Sequence, residues 1–405
     1  MFHLKQRINS IYVSRNLKVH LVMLLFHASL FITLLIIAFL IFQSDPYNSL
    51  WSAGIHYKHA NDSWKFIANT MNPIHSPYPY HLIATSLHYF VLYKVFLVFI
   101  PSLPAITLSV LIVQFTASLF TVFLLYHLFL EVFQLDIQKS LVLVVLYDFI
   151  FLSPFLLLAV SEILFLFYQL VAWTCFIKHR YFYAAIATAM TFALRFNGAF
   201  FVIGIVILFC LKWWESKNIS LRLLINTSIT AIIMLIIGFS SFIISWFGSG
   251  DFWIPLTSQQ WAYDYYQEFI STNIFSFPFL WWLDYIQWVY FSNSLIEVLY
   301  MVLGIIALGL GFLSLYALLK WEESNALGLS YSMAMIYATG FLGINIIVTG
   351  SNFARFLCYT FPVFPVFPSL LRKYTFSPLL LLILVILSGF WGIVFNIIWW
   401  LSYLI

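Results

Sequence analysis

The feature of this sequence that most restricts its fold is a series of long apolar blocks separated by short polar stretches. The first block, residues 21–42, contains no Asp, Glu, Lys or Arg. A helix of about 20 apolar residues crosses roughly 30 Å of membrane hydrocarbon. Only 8% of the 405 residues are charged and 63% are apolar, too few polar groups to cover a soluble domain of this length. The sequence therefore predicts an all-α polytopic membrane protein.

Nine further blocks follow the first, and two of them are too long for a single crossing. Residues 140–177 are interrupted at Ser153 and Pro154, and residues 181–211 at Arg195, Asn197 and Gly198. The other blocks are residues 82–100, 106–133, 223–247, 299–319, 327–348, 353–371 and 379–405. We expect about ten to twelve membrane helices in a single domain spanning residues 1–405.

The positions of Lys and Arg predict the orientation, because short cytoplasmic loops retain positive charge. The basic residues 1–20 are expected in the cytosol, followed by a retained signal anchor. Later basic groups at 178–180, 212–222, 320 and 372–373 then face the cytosol too. This pattern requires residues 140–177 to cross an odd number of times and 181–211 to form a hairpin with an outward apex at 195–198. Residues 43–81, 248–277 and 350–355 are expected on the outer side.

The charge and cysteine content exclude several classes of function. The net charge of +4 is spread along the loops, which argues against a nucleic-acid surface. All three cysteines lie in apolar runs, so neither a disulfide framework nor a CxxC metal site is indicated. His56, His59 and Asp62 share a helical spacing but lack an evident fourth ligand. No metal site and no firm cofactor are predicted, and use of a divalent cation stays open.

Ionisable residues inside apolar blocks are candidates for function, because they normally face protein or water. Lys94 lies near a predicted helix end and is expected to reach the interface. Asp148 and Glu162 are consistent either with helix packing or with a substrate contact. Arg195 stands with Asn197 at a predicted helix break, where a guanidinium can hold a phosphate through two hydrogen bonds.

Asp62 is the leading acid of the first outer loop. Trp64 and Tyr78 lie in the same loop, where aromatic rings can stack on sugar faces while a carboxylate accepts a hydroxyl proton. Alternatively, Asp62 caps a helix that runs on through Trp64. Asp45, near the end of the first block, is a rival for the same role.

Several stretches resemble motifs of integral membrane glycosyltransferases of the GT-C class, which use lipid-phosphate-linked sugars. They are similar in particular to the family of the enzyme that adds the second mannose in GPI-anchor assembly and to its prokaryotic relatives. The stretches are Asp62 with Phe66 and Ala68, SPYP at 76–79, SPFLLLAVSEILFLFYQL at 153–170, ALRFNGAFFV at 193–202, GDFWIPLTSQQW at 250–261 and SNFARFLCYTFPVFP at 351–365. The chain departs from that family at Asn61, at Val160 and after Asp251, where Trp, Tyr and Pro are usual.

The resemblance implies a GT-C-like fold and an inverting transfer of a hexose, mannose by analogy, from a polyprenyl or dolichyl phosphate. Asp62 would be the general base for a glycolipid or glycan acceptor, and Arg195, Arg355 and Asn197 would bind the donor phosphate. The residues expected to bind sugar or acceptor are Trp64, Tyr78, Asp251, Gln260 and Trp261, with Glu162 and Asp45 as structural or substrate contacts. The multi-pass protein would lie among membrane lipids of the endoplasmic reticulum in a eukaryote, or of the plasma membrane in a prokaryote.

Two other classes of function remain open on the sequence. A lipid or solute transporter would have inverted repeats with charged helices in matching positions, and the sequence has no visible symmetry of that kind. A membrane scaffold would tolerate loss of the acids and arginines. Asp62→Asn separates the enzyme from the scaffold, because it removes a base with little change in shape.

Overall fold

The computed structural model describes residues 2–42, 83–96, 99, 102–153, 156–157, 161–194, 198, 202, 221–253, 368, 371–372 and 377–402. Regular structure within these ranges is helical throughout, which confirms the predicted all-α class for this part of the chain. The helices are α1 (Phe2–Phe42), α2 (Ile83–Phe96), α3 (Ser102–His127), α4 (Ile137–Tyr147), α5 (Glu162–Ile177), α6 (Tyr181–Leu194), α7 (Leu221–Gly238), α8 (Ser240–Ser249) and α9 (Pro378–Ser402).

Residues with restricted backbones and short polar side chains mark the helix ends. Asp136 caps α4, its carboxylate accepting a hydrogen bond from the Lys139 amide at 2.8 Å. Ser377 caps α9 in the same way, with Pro378 as the first helical residue. Gly250 ends α8 with a φ of 78°, a left-handed conformation that glycine adopts at no steric cost.

Two described helical stretches are long and apolar enough to cross a membrane. They are Leu17–Ala38 in α1 and Leu108–Val132, which begins in α3 and continues through a π-helical turn at Leu128–Val132. Helices α7 and α8 meet the same criteria only together and are bent by 52°. The block 223–247 is therefore bent within the described chain, whereas the sequence predicted a single span.

At the bend between α7 and α8 the chain packs against the end of α6. The ring of Phe239, at the junction, lies edge-on to that of Phe192 with centroids 5.2 Å apart. Ser241 Oγ donates a hydrogen bond to the Ala193 carbonyl at 3.3 Å. These contacts place the first turn of α8 against the C-terminal end of α6.

Helices α1 and α3 are antiparallel, as two contacts between them show. His20 Nε2 lies 3.0 Å from His127 Nε2, and further along α1 His27 Nε2 lies 2.8 Å from Ser118 Oγ. The two helices therefore run in opposite directions. We call the end of the bundle that contains His20, His127 and Lys178 the basic end, and the opposite end the far end.

The predicted odd number of crossings for residues 140–177 is wrong. Helix α3 ends at the basic end, and α4 begins there. Helix α5 ends there too, because Lys178 Nζ, directly after α5, lies 3.3 Å from Glu131 Oε2, in the π-helical turn directly after α3. The segment is thus a helical hairpin that begins and ends at the basic end. The prediction failed because it required α1 and α3 to run in the same direction.

The predicted interruptions of the two long blocks agree with the described residues. The first rising arm of residues 140–177 ends in a π-helical turn, Asp148–Leu152, directly before Ser153. Helix α6 ends at Leu194, and Gly198 lies directly against the backbone of Thr191. A continuous helix would separate those two residues by about 10 Å, so α6 does not continue as a regular helix to Gly198.

The bundle has a mainly apolar core that also contains buried polar side chains, and its outer surface is apolar. Its buried polar side chains, each at most 2% exposed, include His27, Gln114, Asp148, Glu162 and Gln169. Large apolar side chains point outward from α1 and α9, namely Leu21, Leu25, Ile32, Ile36, Leu382, Ile386 and Phe390. This distribution is typical of helices in lipid, where an exposed leucine costs nothing and a polar group must find a protein partner.

Helix α9 packs closely on the π-helical turn Asp148–Leu152. A Cβ atom on Gly389 would lie 3.1 Å from the Phe149 ring, and one on Gly392 would meet the Phe149 carbonyl oxygen. A ring can rotate away, whereas a backbone carbonyl held in a helical turn cannot. The two glycines therefore differ in how well they tolerate a side chain.

We expect Gly392→Ala to lower the free energy of unfolding by about 1–3 kcal/mol, because the added methyl group overpacks the contact with a backbone atom. Gly389→Ala is the matched control and should have a smaller effect. Thermal unfolding of both variants in detergent measures the difference. Equal losses of stability would contradict the close packing of α9 on this turn.

Candidate functional site

Most of the predicted site residues lie outside the described residues. These are Asp45, Asp62, Trp64, Tyr78, Arg195, Asn197, Gln260, Trp261 and Arg355. The described structure includes two members of the predicted set, Glu162 and Asp251. It also contains buried polar contacts that the sequence did not predict.

Glu162 is the first residue of α5 and is 2% exposed, near the far end of the bundle. Its carboxyl group acts electrostatically on the hydroxyl of Tyr89, on α2. The Tyr89 hydroxyl also accepts a hydrogen bond from Gln114 Nε2, on α3, at 2.8 Å. Three helices thus contribute a carboxyl, a phenol and an amide to one buried region.

Gln169 extends this polar region along α5. It lies seven residues after Glu162, two turns along the helix and so on the same face, and is fully buried. Neither its amide nitrogen nor its amide oxygen has a hydrogen-bond partner among the described residues. We call Tyr89, Gln114, Glu162 and Gln169 the polar seam.

A second contact fixes α2 against α5 beside the polar seam. His88 Nε2 lies 2.9 Å from the Tyr168 hydroxyl, so consecutive residues of α2 contact α5 and α3. Buried polar groups that satisfy one another hold helices in one arrangement, since each loses a partner if they slide. The polar seam can therefore position α2, and its carboxyl and amide groups have the chemistry to bind the hydroxyl groups of a polar ligand.

Asp251 lies apart from the polar seam, in the exposed turn after α8. Its Oδ1 accepts a hydrogen bond from the Trp253 amide at 2.8 Å, and the Trp253 side chain is 58% exposed. An exposed carboxylate beside an exposed indole suits contact with a ligand outside the bundle. The hydrogen bond from the Trp253 amide to Asp251 also stabilises the turn itself.

Four segments predicted to carry site residues adjoin the far end. Helix α1 ends there before the loop that contains Asp62, and α5 begins there at Glu162. Helix α6 ends there before Arg195; α8 begins beside that end, and Phe252, next to Asp251, packs on Phe242 in the first turn of α8. The helix ends that flank these segments therefore share one end of the bundle.

A contact between His27 and Asp148 was missed by the sequence analysis. His27 Nδ1 lies 2.8 Å from Asp148 Oδ2, and both side chains are fully buried. The sequence marked Asp148 as an ionisable residue in an apolar block, and the same criterion applied to histidine would have selected His27. Its partnership with Asp148 depends on helix packing, which no local pattern indicates.

Lys94 lies in the last turn of α2 and is exposed. Its ammonium group is 4.8 Å from the centre of the Tyr93 ring and 5.9 Å from that of Phe90. These contacts suit a cation that extends along the helix surface toward its end. Lys94 is thus not part of the polar seam.

No family model matches this sequence, and no curated protein resembles it significantly. Among the described residues, no group of three or more His, Cys, Asp or Glu side chains is arranged to hold a metal ion. The function of this chain is therefore inferred from its own residues and from the motif resemblance.

Tyr89→Phe is expected to lower the free energy of unfolding by about 1–3 kcal/mol, because the buried Gln114 amide loses its acceptor. Tyr93→Phe, on the same helix and beside Lys94, is the control and should change stability less. In the double variant Tyr89→Phe, Gln114→Leu the losses should not add, since the two residues form one interaction. Additive losses in chemical denaturation would contradict the hydrogen bond.

Proposed function

We propose that this chain is a multi-pass membrane glycosyltransferase of the GT-C class, with about ten to twelve membrane helices. It transfers a hexose, mannose by analogy, from a polyprenyl or dolichyl phosphate to a glycolipid or glycan acceptor on the non-cytosolic face. The observation that carries the proposal is the ordered series of motif-like stretches along nearly the whole chain. The common position of their flanking helix ends, at the far end of the bundle, supports it.

In the proposed reaction the acceptor hydroxyl oxygen attacks the anomeric carbon while the bond from that carbon to the phosphate oxygen breaks. Asp62 takes the hydroxyl proton, and the lipid phosphate leaves with the electron pair of the broken bond. Arg195, Arg355 and Asn197 stabilise the charge that develops on the phosphate, because fixed donors strengthen as negative charge grows. The configuration at the anomeric carbon is inverted.

The other predicted residues bind the reactants in this proposal. Trp64, Tyr78 and Trp261 stack on sugar rings, and Asp251 and Gln260 hydrogen-bond to hydroxyl groups. Glu162 either contacts a sugar hydroxyl from the buried side or holds α5 in place through the polar seam. The lipid tail of the donor lies between helices, which accounts for an enzyme embedded in the membrane.

Asp62→Asn is expected to reduce sugar transfer by about 10²–10⁴-fold, the usual contribution of a positioned general base. Asp45→Asn, which changes the rival acid of the same loop, is the matched control and should retain activity. Release of lipid phosphate from a panel of polyprenyl-phosphate sugars, incubated with the purified protein, measures both. Equal loss in the two variants, or full activity of Asp62→Asn, would exclude Asp62 as the base.

The proposed orientation predicts that the two ends of the bundle face opposite compartments. In a chain with Cys175, Cys210 and Cys358 changed to Ala, a membrane-impermeant maleimide should label Trp253→Cys from the non-cytosolic side. Arg180→Cys, in the exposed turn at the basic end, should react only after the membrane is permeabilised. Labelling of both from one side would contradict the orientation.

A lipid or solute transporter is the second candidate, and one observation favours it. His27 and Asp148 form an ionisable pair within the bundle, and such pairs often mark ion or substrate pathways in transporters. Uptake of a labelled substrate into vesicles without added lipid donor would support transport. Release of lipid phosphate without uptake would support the enzyme.

A further inference from the structure

The strongest buried contact outside the proposed active site joins three elements through His27. Its Nε2 lies 2.8 Å from Ser118 Oγ on α3, and its Nδ1 lies 2.8 Å from Asp148 Oδ2 at the start of the π-helical turn. All three side chains are fully buried. The arrangement resembles a Ser-His-Asp triad, but no substrate can reach a fully buried serine.

The hydrogen-bond donors around His27 can be counted. Ser118 Oγ lies 2.9 Å from the Phe115 carbonyl oxygen, which can only accept a hydrogen bond, so we assign the single hydroxyl proton of Ser118 to this contact. Ser118 Oγ must then accept its other hydrogen bond from His27, so Nε2 carries a proton. At Nδ1, either the imidazole donates to an ionised Asp148 or a protonated Asp148 donates to the imidazole. In both alternatives one proton lies between Nδ1 and the carboxyl group, in addition to the proton on Nε2.

The surroundings of Asp148 favour this extra proton. Without it the pair would carry a net charge of −1, and a buried uncompensated charge is costly. Asp148 Oδ1 is buried and has no hydrogen-bond partner among the described residues, so a full negative charge would be poorly solvated. The ring of His27 stacks on Phe115 with centroids 5.4 Å apart, which excludes water from that face of the pair.

The other ionisable groups on the packed elements are engaged elsewhere or uncharged. On α4, Lys139 Nζ donates to the Leu371 carbonyl oxygen at 2.9 Å, and Tyr147 directly precedes Asp148. His20 on α1 and His127 on α3 contact each other at the basic end. Helix α9 contains no titratable side chain. No second charged side chain among the described residues compensates the pair directly.

We propose that His27 and Asp148 form a proton-binding site inside the bundle, holding one shared proton that makes the pair electrically neutral. The proton joins α1 to the π-helical turn that follows α4, and Ser118 completes the contact with α3. The site stands apart from the proposed glycosyl transfer and requires none of its residues.

Nitrogen-15 NMR of the full chain, labelled at histidine and studied in detergent at neutral pH, tests the proposal together with infrared spectroscopy. The pair should give either one histidine with both ring nitrogens protonated or a protonated carboxyl band. The signal should disappear in Asp148→Asn, in which the side-chain amide donates an N–H to Nδ1 of a neutral imidazole. A neutral His27 beside an ionised Asp148 in the unchanged protein would overturn the proposal.

Stability provides an independent test that does not depend on any activity. Asp148→Leu should lower Tm most, because it leaves His27 buried without its partner, and Asp148→Asn should lower it least. His27→Leu, Asp148→Leu should recover part of the loss, since two apolar residues replace both polar partners. Equal loss in Asp148→Asn and Asp148→Leu would overturn the shared proton, because a neutral hydrogen-bonding replacement would then offer no advantage.

Discussion

The structure depends on one constraint: a helix bundle with an apolar exterior must satisfy its polar groups from within. His27 and Asp148 pair across the bundle, and Tyr89 is bound to Gln114. These contacts determine which helices are neighbours, because apolar side chains alone pack almost equally well in many arrangements. The outward-facing leucines and isoleucines make the surface suited to lipid, and the interior hydrogen bonds specify how the helices are arranged.

Composition and periodicity were sufficient to predict the helical class and several boundaries. Ser153 and the residues around Arg195 were recognised as interruptions because proline, glycine and polar residues break an apolar run. The relative direction of α1 and α3 was not predictable in the same way. It depends on contacts such as His20 with His127, more than 100 positions apart in the chain, and no local pattern specifies such a pairing.

In the candidate site, too, some residues were predictable from local sequence and others only from helix packing. Glu162 was selected as an ionisable residue in an apolar block, and its burial agrees with that criterion. Tyr89 and Gln114 were not selected, because a tyrosine or glutamine in a hydrophobic helix is common and acquires meaning only through its neighbour. Asp251 stood in a motif-like stretch of a predicted loop, and it lies exposed in the turn after Gly250. Residue type indicates which chemical groups are available, whereas packing determines which of these groups lie in contact.

The two π-helical turns, Leu128–Val132 and Asp148–Leu152, have a consequence for comparisons with related chains. Each accommodates one residue more than a regular α-helical turn. A relative without the extra residue would carry its counterpart of Asp148 one place out of step in an ungapped alignment. Single-residue gaps at these turns would then mark a preserved inner face where a simple count of identities shows divergence.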